Sequence, residues 1–477
     1  DNVDNEVRQQ YYDVMKKISL DCSEAMRAFG ERIIKESVNI INTPPPVLFE
    51  AVAIGSIARG EATPYSDLEY LFLVDKQTES SVQYFELLSM VSYFIMGNLG
   101  ETKLLYMNVE ELIGWFEDKA KNGFKIDGLA PGAGNIPTGN SPNNRNHFII
   151  TPEQLADRYK TTLDNPDPKE ALRGDLTSML TYTKSLYMCP NQNAQQHLLL
   201  RYYELIKAYT RNQTRSEMDM DMLKTDAEKF NFVPDGRLYA KGFCADVKKE
   251  VYRFPSILLL DICIVCEYAE STSWESLEAL ARRDSISQDL FESLKFSLAA
   301  ATYIRLSTYL HHDSHDDRVA LSQKLAAGIE HVSKLQKSSQ RWFLPSELFS
   351  AICTNMMPLK QYIQQENFER QHLSQLTVKS DSWWTHVESL YYSGNRTQAL
   401  CVLKQRFADL CVKPVESALH LHSSLPHSIY ETLFIISDTL TWCTEYRAAL
   451  QLYEYITDNN ICDERMRIAD CQHRLGD

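Results

Sequence analysis

The residues best suited to chemistry in this chain lie at the ends of two short apolar segments near its N-terminal end. A glycine and a serine close the first segment, and two acids separated by one position open the second: Gly55, Ser56, Asp67 and Glu69. Glycine lets a backbone approach a phosphate closely, and the serine adds a hydroxyl donor beside free amides. The pattern therefore predicts a triphosphate site, and with it nucleotide transfer.

The two acids have the spacing of metal ligands. Side chains alternate faces along a strand, so Asp67 and Glu69 should point the same way, roughly 6.5–7 Å apart. Two such carboxylates repel each other unless cations lie between them. Two Mg²⁺ (or Mn²⁺) ions about 3.5–4 Å apart would neutralise them and hold both oxygens of an in-line displacement. Arg59, in the connecting loop, could take the charge that develops on a pyrophosphate leaving group.

Each half of this pattern also has an ordinary explanation. A Gly-Ser turn is common, and a D-x-E strand is often a solvated edge. The combination is more specific because the loop between them reads Arg59-Gly60-Glu61, then Pro64 and Ser66. The whole string resembles the signature of the DNA polymerase β-like nucleotidyltransferase superfamily. It looks most like the protein-PII uridylyltransferase branch and the bacterial signal-transduction nucleotidyltransferases.

The resemblance implies roles for the matching residues. In that branch the Gly-Ser turn holds the nucleotide phosphates and the paired acids hold metal. These roles fall on Gly55 and Ser56, and on Asp67 and Glu69, and Arg59 also matches. A looser likeness continues downstream, where residues 247–253 and 274–280 resemble the helical substrate-binding domain of the same branch. The resemblance covers about residues 45–320.

One part of the superfamily pattern is not evident. A third acid usually lies on a later strand and orients or deprotonates the attacking hydroxyl. The segment 102–107 is the strand that we nominate, and it has no acid in its middle. Glu101 at its start and Asp127 farther on are the possible third acids. An inactive relative therefore stays open as an alternative.

Periodicity predicts the elements around the motif. We expect helices over 2–42 and 80–99 and strands over 47–54, 67–74 and 102–107, with helices almost throughout from residue 151. The predicted fold is an α+β nucleotidyltransferase domain, a small mixed sheet flanked by helices, followed by an all-α domain and a helical-repeat C-terminus. The predicted domains are an N-terminal helical segment (1–42), the catalytic domain (43–150), a helical substrate-binding-like domain (151–345) and repeats (346–477).

The last hundred residues resemble tetratricopeptide repeats. Helix pairs are predicted at 383–393 with 396–410 and at 429–442 with 446–456, and 463–475 begins a third pair without completing it. Because each repeat buries its face against a neighbour, we expect the natural chain to continue past Asp477. Such an array predicts a protein partner or substrate.

Composition limits the remaining functions. The chain has 477 residues and a net charge of −15, which disfavours extended nucleic acid as a partner. No apolar run reaches the roughly 18 residues of a membrane span. The N-terminus lacks the features of a signal peptide and a starting Met, so we expect a trimmed chain. The eleven scattered cysteines suit a reducing cytoplasm.

Two other clusters have both a structural and a metal-binding interpretation. Cys263 and Cys266 lie in an apolar helical run, where buried thiols are favoured over a zinc site. The segment 311–317 is rich in His and Asp, and a solvated loop is favoured over metal binding. Three functions therefore stay open: a metal-dependent nucleotidyltransferase acting on a protein or small-molecule hydroxyl with an NTP as substrate, an inactive nucleotide-binding sensor, and a repeat-based scaffold.

Overall fold

The fold is taken from a computed structural model of the chain. It describes residues 2–66, 68–98, 149–164, 181–189, 197–210, 215–229, 244–266, 271–312, 317–320, 346–365, 367–378, 383–392, 396–422, 429–459, 461 and 464–475. Three predicted site residues, Asp67, Glu101 and Asp127, lie outside the described residues, as does the predicted strand at 102–107.

Helices dominate the described chain, and six short strands lie among them in sequence. The strands are β1 (Phe49–Ala53), β2 (Tyr70–Val74), β3 (Ile149–Ile150), β4 (Lys184–Met188), β5 (Cys244–Asp246) and β6 (Arg318–Ala320). The helices of the first half are α1 (Asn2–Ile41), α2 (Gly55–Arg59), α3 (Glu79–Asn98), α4 (Pro152–Asp164), α5 (Leu198–Thr210) and α6 (Arg215–Lys229). Those of the second half are α7 (Arg253–Val265), α8 (Ser273–Arg282), α9 (Gln288–His312), α10 (Ser346–Ile363), α11 (Trp383–Tyr392), α12 (Arg396–Arg406), α13 (Pro414–His422), α14 (Ile429–Trp442), α15 (Tyr446–Asp458) and α16 (Arg465–Leu475). Within the described residues, none of these helices combines the length and apolarity that crossing a bilayer requires.

The chain divides into two compact units. The first comprises Asp1–Asn231, Asp246–Arg318 and Lys360–Thr377, and the second comprises Phe232–Ala245, Val319–Leu359 and Val378–Asp477. The division into four domains that the sequence suggested remains a prediction.

A four-stranded mixed sheet organises the first unit. Its strand order is β3-β2-β1-β4, with β1 antiparallel to both of its neighbours and β3 parallel to β2. All five residues of β1 and all five of β2 are buried, because helices cover both faces. This explains why both strands read as nearly continuous apolar runs instead of alternating patterns. The fold class is thus confirmed at the level of a small mixed sheet with many helices.

The two faces of the sheet bury separate clusters. One face of β1, with Phe49, Ala51 and Ala53, packs with residues of α1 and α3. The opposite face, with Val52 and Ile54, packs with residues of α4 and α5. Alternation along the strand produces this division. Its consequence is that both ends of β1 and β2 are fixed in place by packing on two sides.

The prediction of helices almost throughout from residue 151 misses three short strands, β4, β5 and β6, of which β4 joins the sheet of the first unit. Lys184–Met188 forms β4 and pairs with β1 along the edge that β2 leaves free. A register irregularity falls between Ala51 and Val52, opposite this strand. Leu186 enters the cluster beneath α1, so pairing and burial outweigh the weak local preference of a five-residue segment.

The second unit contains the helices of the predicted repeats. Helices α11, α12, α14, α15 and α16 lie near their predicted positions, and α13 is an additional helix that the repeat pattern did not predict. Successive helices α14, α15 and α16 pack on one another. One hydrophobic core joins these helices with α11 and α12, and it includes Trp384, Leu403, Leu433 and Tyr453. The tetratricopeptide likeness itself stays a prediction.

Candidate functional site

The turn after β1 and the approach to β2 meet at one point. The backbone N–H of Ile54 donates to the carbonyl oxygen of Glu69 over 2.9 Å. Gly55 follows with φ +67°, in the left-handed region that favours glycine. A Cβ on Gly55 would lie 1.5 Å from Oε2 of Glu69. The carboxylate of Glu69 therefore lies directly over the glycine, so these two predicted site residues are brought together.

Gly55 is thus required for a reason that the sequence did not give. From the sequence, the glycine was expected to let the backbone approach a phosphate closely. In the structure its nearest neighbour is the Glu69 carboxylate, which occupies the volume that any side chain at 55 would need. The glycine therefore allows an acid to approach the turn at close range.

Ser56 and Arg59 belong to the same short turn of helix, α2. Ser56 is half-buried, and its hydroxyl makes no hydrogen bond to another described residue. The Arg59 side chain is 13% exposed, and its Nε lies 3.4 Å from Oε2 of Glu61. The turn therefore presents a hydroxyl and a cation beside the Glu69 carboxylate.

The charge of Arg59 is set by the acids around it. Burial lowers the pKa of Arg59, but the negative charges of Glu61 and of Glu69 raise it, and the net direction is upward. The guanidinium therefore stays protonated although little of it is exposed. A cation fixed beside a site in this way is suited to stabilising a polyanion.

Glu61 is the buried centre of the arrangement. Its side chain is fully buried, and its Oε2 accepts hydrogen bonds from the hydroxyl of Tyr252 and from Oγ of Ser256, the latter over 2.7 Å. Burial, followed by the charge of Glu61, raises the pKa of Tyr252 to about 12, so its hydroxyl remains a donor. The other oxygen of Glu61, Oε1, is buried and has no hydrogen-bond partner in the described part of the chain. An unsatisfied buried acceptor costs about 1–3 kcal/mol, which the other contacts of the carboxylate must offset.

The backbone of this turn is clamped from the helical side. Gly60 ends α2 with φ +74°, and a Cβ there would lie 2.9 Å from Leu20 and 3.0 Å from Thr272. Its carbonyl accepts a hydrogen bond of 2.8 Å from the indole Nε1 of Trp274, which is completely buried. The direction of the chain between Arg59 and Glu61 is therefore fixed by α1 and α8.

A second buried cation continues the network behind Tyr252. Arg305 lies over the Tyr252 ring, 4.5 Å from its centroid, and its Nε donates to the hydroxyl of Tyr309 over 2.8 Å. That hydroxyl donates in turn to Asp317 over 2.5 Å. The ring of Tyr252 is held between the Glu61 carboxylate and a cation, which restricts its orientation.

Of the predicted pair of metal ligands, the described residues include Glu69. Among the residues that the structure describes, no three His, Cys, Asp or Glu side chains form a group able to hold a metal ion. Asp67 is outside the described ranges, so its pairing with Glu69 stays a prediction. The observation that bears on a metal is the close packing of one carboxylate on a glycine turn, and carboxylate oxygen is a ligand type that Mg²⁺ accepts.

Two other groups of residues had a possible metal-binding interpretation, the cysteine pair and the segment 311–317. Cys263 and Cys266 are both buried within and after α7, as expected for core thiols, and burial raises the pKa of Cys263. His311 and His312 end α9, and most of the segment that follows them lies beyond the described residues.

Several site residues were not assigned a role from sequence. Glu61 was part of the matched string, Tyr252 lay in the segment 247–253, and Trp274 began the segment 274–280. Their shared signal was that all three stretches carried the sequence resemblance, and the fold brings them together at Gly60 and Glu61. Ser256 and Arg305 had no signal beyond their place in apolar helices.

Comparison with known proteins adds no assignment. No profile of a known protein family matches the chain, and no curated protein matches it.

Proposed function

We propose that this chain is a metal-dependent nucleotidyltransferase that moves a nucleoside monophosphate from an NTP to a hydroxyl. The observation that carries the proposal is the convergence at Gly55, where the Glu69 carboxylate lies on the turn that also bears Ser56 and Arg59. An acid, a hydroxyl and a cation on one rigid turn are the groups that a metal-bound triphosphate needs. The nucleotidyltransferase superfamily that the sequence resembles uses such a set.

Each residue has a defined part in the proposed reaction. Asp67 and Glu69 would hold Mg²⁺ or Mn²⁺, which supplies neutralisation of phosphate charge when bound. The Ser56 hydroxyl donates to a phosphate oxygen, and Arg59 faces the leaving group. The acceptor oxygen forms a bond to the α-phosphorus, the bond to the β-phosphate oxygen breaks, and pyrophosphate leaves. The hydroxyl proton passes to a general base, for which Glu101 and Asp127 are the candidates.

The acceptor is proposed from charge and architecture. A net charge of −15 disfavours an extended nucleic acid, so a protein or a small-molecule hydroxyl is the proposed acceptor. The helices of the second unit are proposed to recruit a protein partner. Nine cysteines whose side chains the structure describes are free thiols, which supports the proposal of a reducing, cytoplasmic location.

A second candidate, a nucleotide sensor without turnover, is supported by the electrostatics. Arg59 lies beside the buried Glu61, and the charge of Glu69 acts on it as well. Because part of the cation's charge is already compensated, its attraction to a leaving group is reduced. A site of this kind would hold a nucleotide without stabilising the transition state strongly.

Transfer of label from each NTP, labelled at the α-phosphate, tests the two candidates. With Mg²⁺ or Mn²⁺ present, the proposal predicts label on an acceptor from at least one NTP, and loss of that transfer in Asp67→Ala. Glu79→Gln is the matched control, because Glu79 is an exposed acid at the start of α3, beyond the other end of β2. Binding without transfer across acceptors would favour the sensor, and no NTP binding would reject both.

A further inference from the structure

We propose that Glu61 is a positioning residue that fixes Arg59 toward the triphosphate, and that the helical part of the first unit sets its orientation through Tyr252 and Ser256. The inference deepens the proposed function and rests on it. It concerns Glu61, an acid that belongs to neither the predicted metal pair nor the possible third acids.

The first support is the direction of the contacts on Glu61. One oxygen, Oε2, is shared by Arg59, by the Tyr252 hydroxyl and by Oγ of Ser256. The latter two residues follow Glu61 by 191 and 195 positions, so they belong to a distant part of the chain. A carboxylate oxygen held by two donors from a helix has little freedom, so the guanidinium that pairs with it is also fixed.

The second support is the rigidity of the backbone that carries both residues. The N–H of Glu61 donates to the carbonyl of Ser56 over 2.9 Å, and the carbonyl of Gly60 accepts from Trp274 over 2.8 Å. A backbone bond therefore joins Glu61 to the turn that bears Ser56, and the Trp274 side chain joins Gly60, between Arg59 and Glu61, to α8. Only the side-chain angles of Arg59 remain to be set, and Glu61 is the acid that holds its Nε.

The third support is the difference in solvent exposure between the side chains of Glu61 and Arg59. Glu61 is fully buried, whereas the Arg59 side chain retains 13% exposure, and the charge of Glu69 acts on it. Glu61 is therefore the sealed member of the pair, and Arg59 is the partly exposed member on which the charge of Glu69 acts. A pair of this kind, with the acid sealed from solvent, is suited to orienting the cation more than to binding ligand directly.

A double-mutant cycle on triphosphate affinity separates positioning from a structural role. The full chain, with Mg²⁺, is titrated with inorganic tripolyphosphate, a probe that has no base. Arg59→Ala and Glu61→Gln are each expected to weaken binding about tenfold, the equivalent of one hydrogen bond to a charged group. If Glu61 acts through Arg59, the double variant binds no more weakly than Arg59→Ala alone.

Additive losses, or unchanged affinity in Glu61→Gln with a lowered unfolding midpoint, would overturn the inference while leaving the proposed function intact. Wild-type protein that binds neither tripolyphosphate nor any NTP would overturn both. Should Glu61→Gln fail to fold, Tyr252→Phe tests the same point, because it removes a donor to Oε2 and leaves the acid in place. We expect it to weaken binding about threefold and only when Arg59 is present.

The matched control is Tyr391→Phe in the second unit. Tyr391 is also a buried tyrosine that donates to a buried carboxylate, Asp438, over 2.8 Å. Its loss should change stability and leave tripolyphosphate affinity unchanged. An equal loss of affinity in Tyr391→Phe would mean that Tyr252→Phe acts through general destabilisation, which would overturn the inference.

Discussion

Replacement of Gly55 by alanine tests two reasons for a glycine at this position: its left-handed backbone and the close approach of the Glu69 carboxylate. The new Cβ would lie 1.5 Å from Oε2 of Glu69, and φ is +67°. The left-handed backbone costs an alanine roughly 1–2 kcal/mol. Loss of unfolded-state freedom returns about 0.4–1 kcal/mol. Because the overlapping atom ends a flexible side chain, Glu69 can turn away. We therefore expect the free energy of unfolding to fall by only about 1 kcal/mol.

The expected functional loss is much larger than the loss of stability. A carboxylate that turns away from the turn no longer faces a metal-bound triphosphate, so Mg²⁺-dependent NTP binding should fall at least about tenfold, the equivalent of about 1.4 kcal/mol. Urea unfolding followed by circular dichroism measures the first effect, and a nucleotide titration measures the second. Gly55→Ala with wild-type affinity and an unchanged fold would refute the reasoning.

Gly60→Ala is the matched control for this prediction. Gly60 has a similar φ of +74°, but its new Cβ would meet Leu20 at 2.9 Å and Thr272 at 3.0 Å inside the packed interior. Overpacking adds about 1–3 kcal/mol to the net backbone cost, so the loss should reach about 2–4 kcal/mol. Gly60→Ala should therefore lose more stability than Gly55→Ala, whereas Gly55→Ala should lose more metal-dependent NTP binding.

Three further predictions concern the contacts around the site and the second unit. Trp274→Phe removes the 2.8 Å bond to the Gly60 carbonyl and should cost about 1–3 kcal/mol in urea unfolding; an unchanged midpoint would show that the bond does not clamp the turn. Asp438→Asn removes the negative charge of a buried acid that pairs with Arg396 at 3.3 Å and with Arg467 at 3.0 Å. The free energy of unfolding should fall by about 3–5 kcal/mol, whereas the affinity for tripolyphosphate should not change. A thermal melt and a tripolyphosphate titration of the same variant would check the two expectations. Because the pKa of Tyr252 is raised from 10.0 to about 12, the native state retains its proton longer than the unfolded chain, so this contribution is present below pH 10 and is lost as the pH rises toward 12. Wild-type stability should therefore fall faster than that of Tyr252→Phe over this interval, and parallel curves would contradict the pKa shift.

Much of the fold was predictable because its signals are local. The apolar run of β1, the end of α1 shortly before Pro44 to Pro46 and the helices of the second unit all follow from periodicity and turn residues. The strand β4 was missed because its five residues gain their stability from the free edge of β1, which no local pattern records.

From the sequence, candidate site residues could be nominated only where they lie close together in one short segment. Gly55, Ser56, Arg59 and Glu69 share one string, and the structure places them around one turn. The role of Glu61 depends on hydroxyls that are 191 and 195 residues away, and the true neighbour of Gly55 depends on the register between β1 and β2. Both are consequences of tertiary packing, which residue types and spacing do not contain.

Binding of Mn²⁺ is the measurement that tests the central claim most directly. Electron paramagnetic resonance of free Mn²⁺, titrated with the full chain without NTP because an NTP would itself bind the metal, reports how much metal the protein binds. The account predicts a stoichiometric loss of the free signal with wild-type protein, and recovery of the signal with Asp67→Asn and with Glu69→Gln, but not with Glu79→Gln. Binding that is absent in the wild type, or that persists when both acids are replaced, would contradict it.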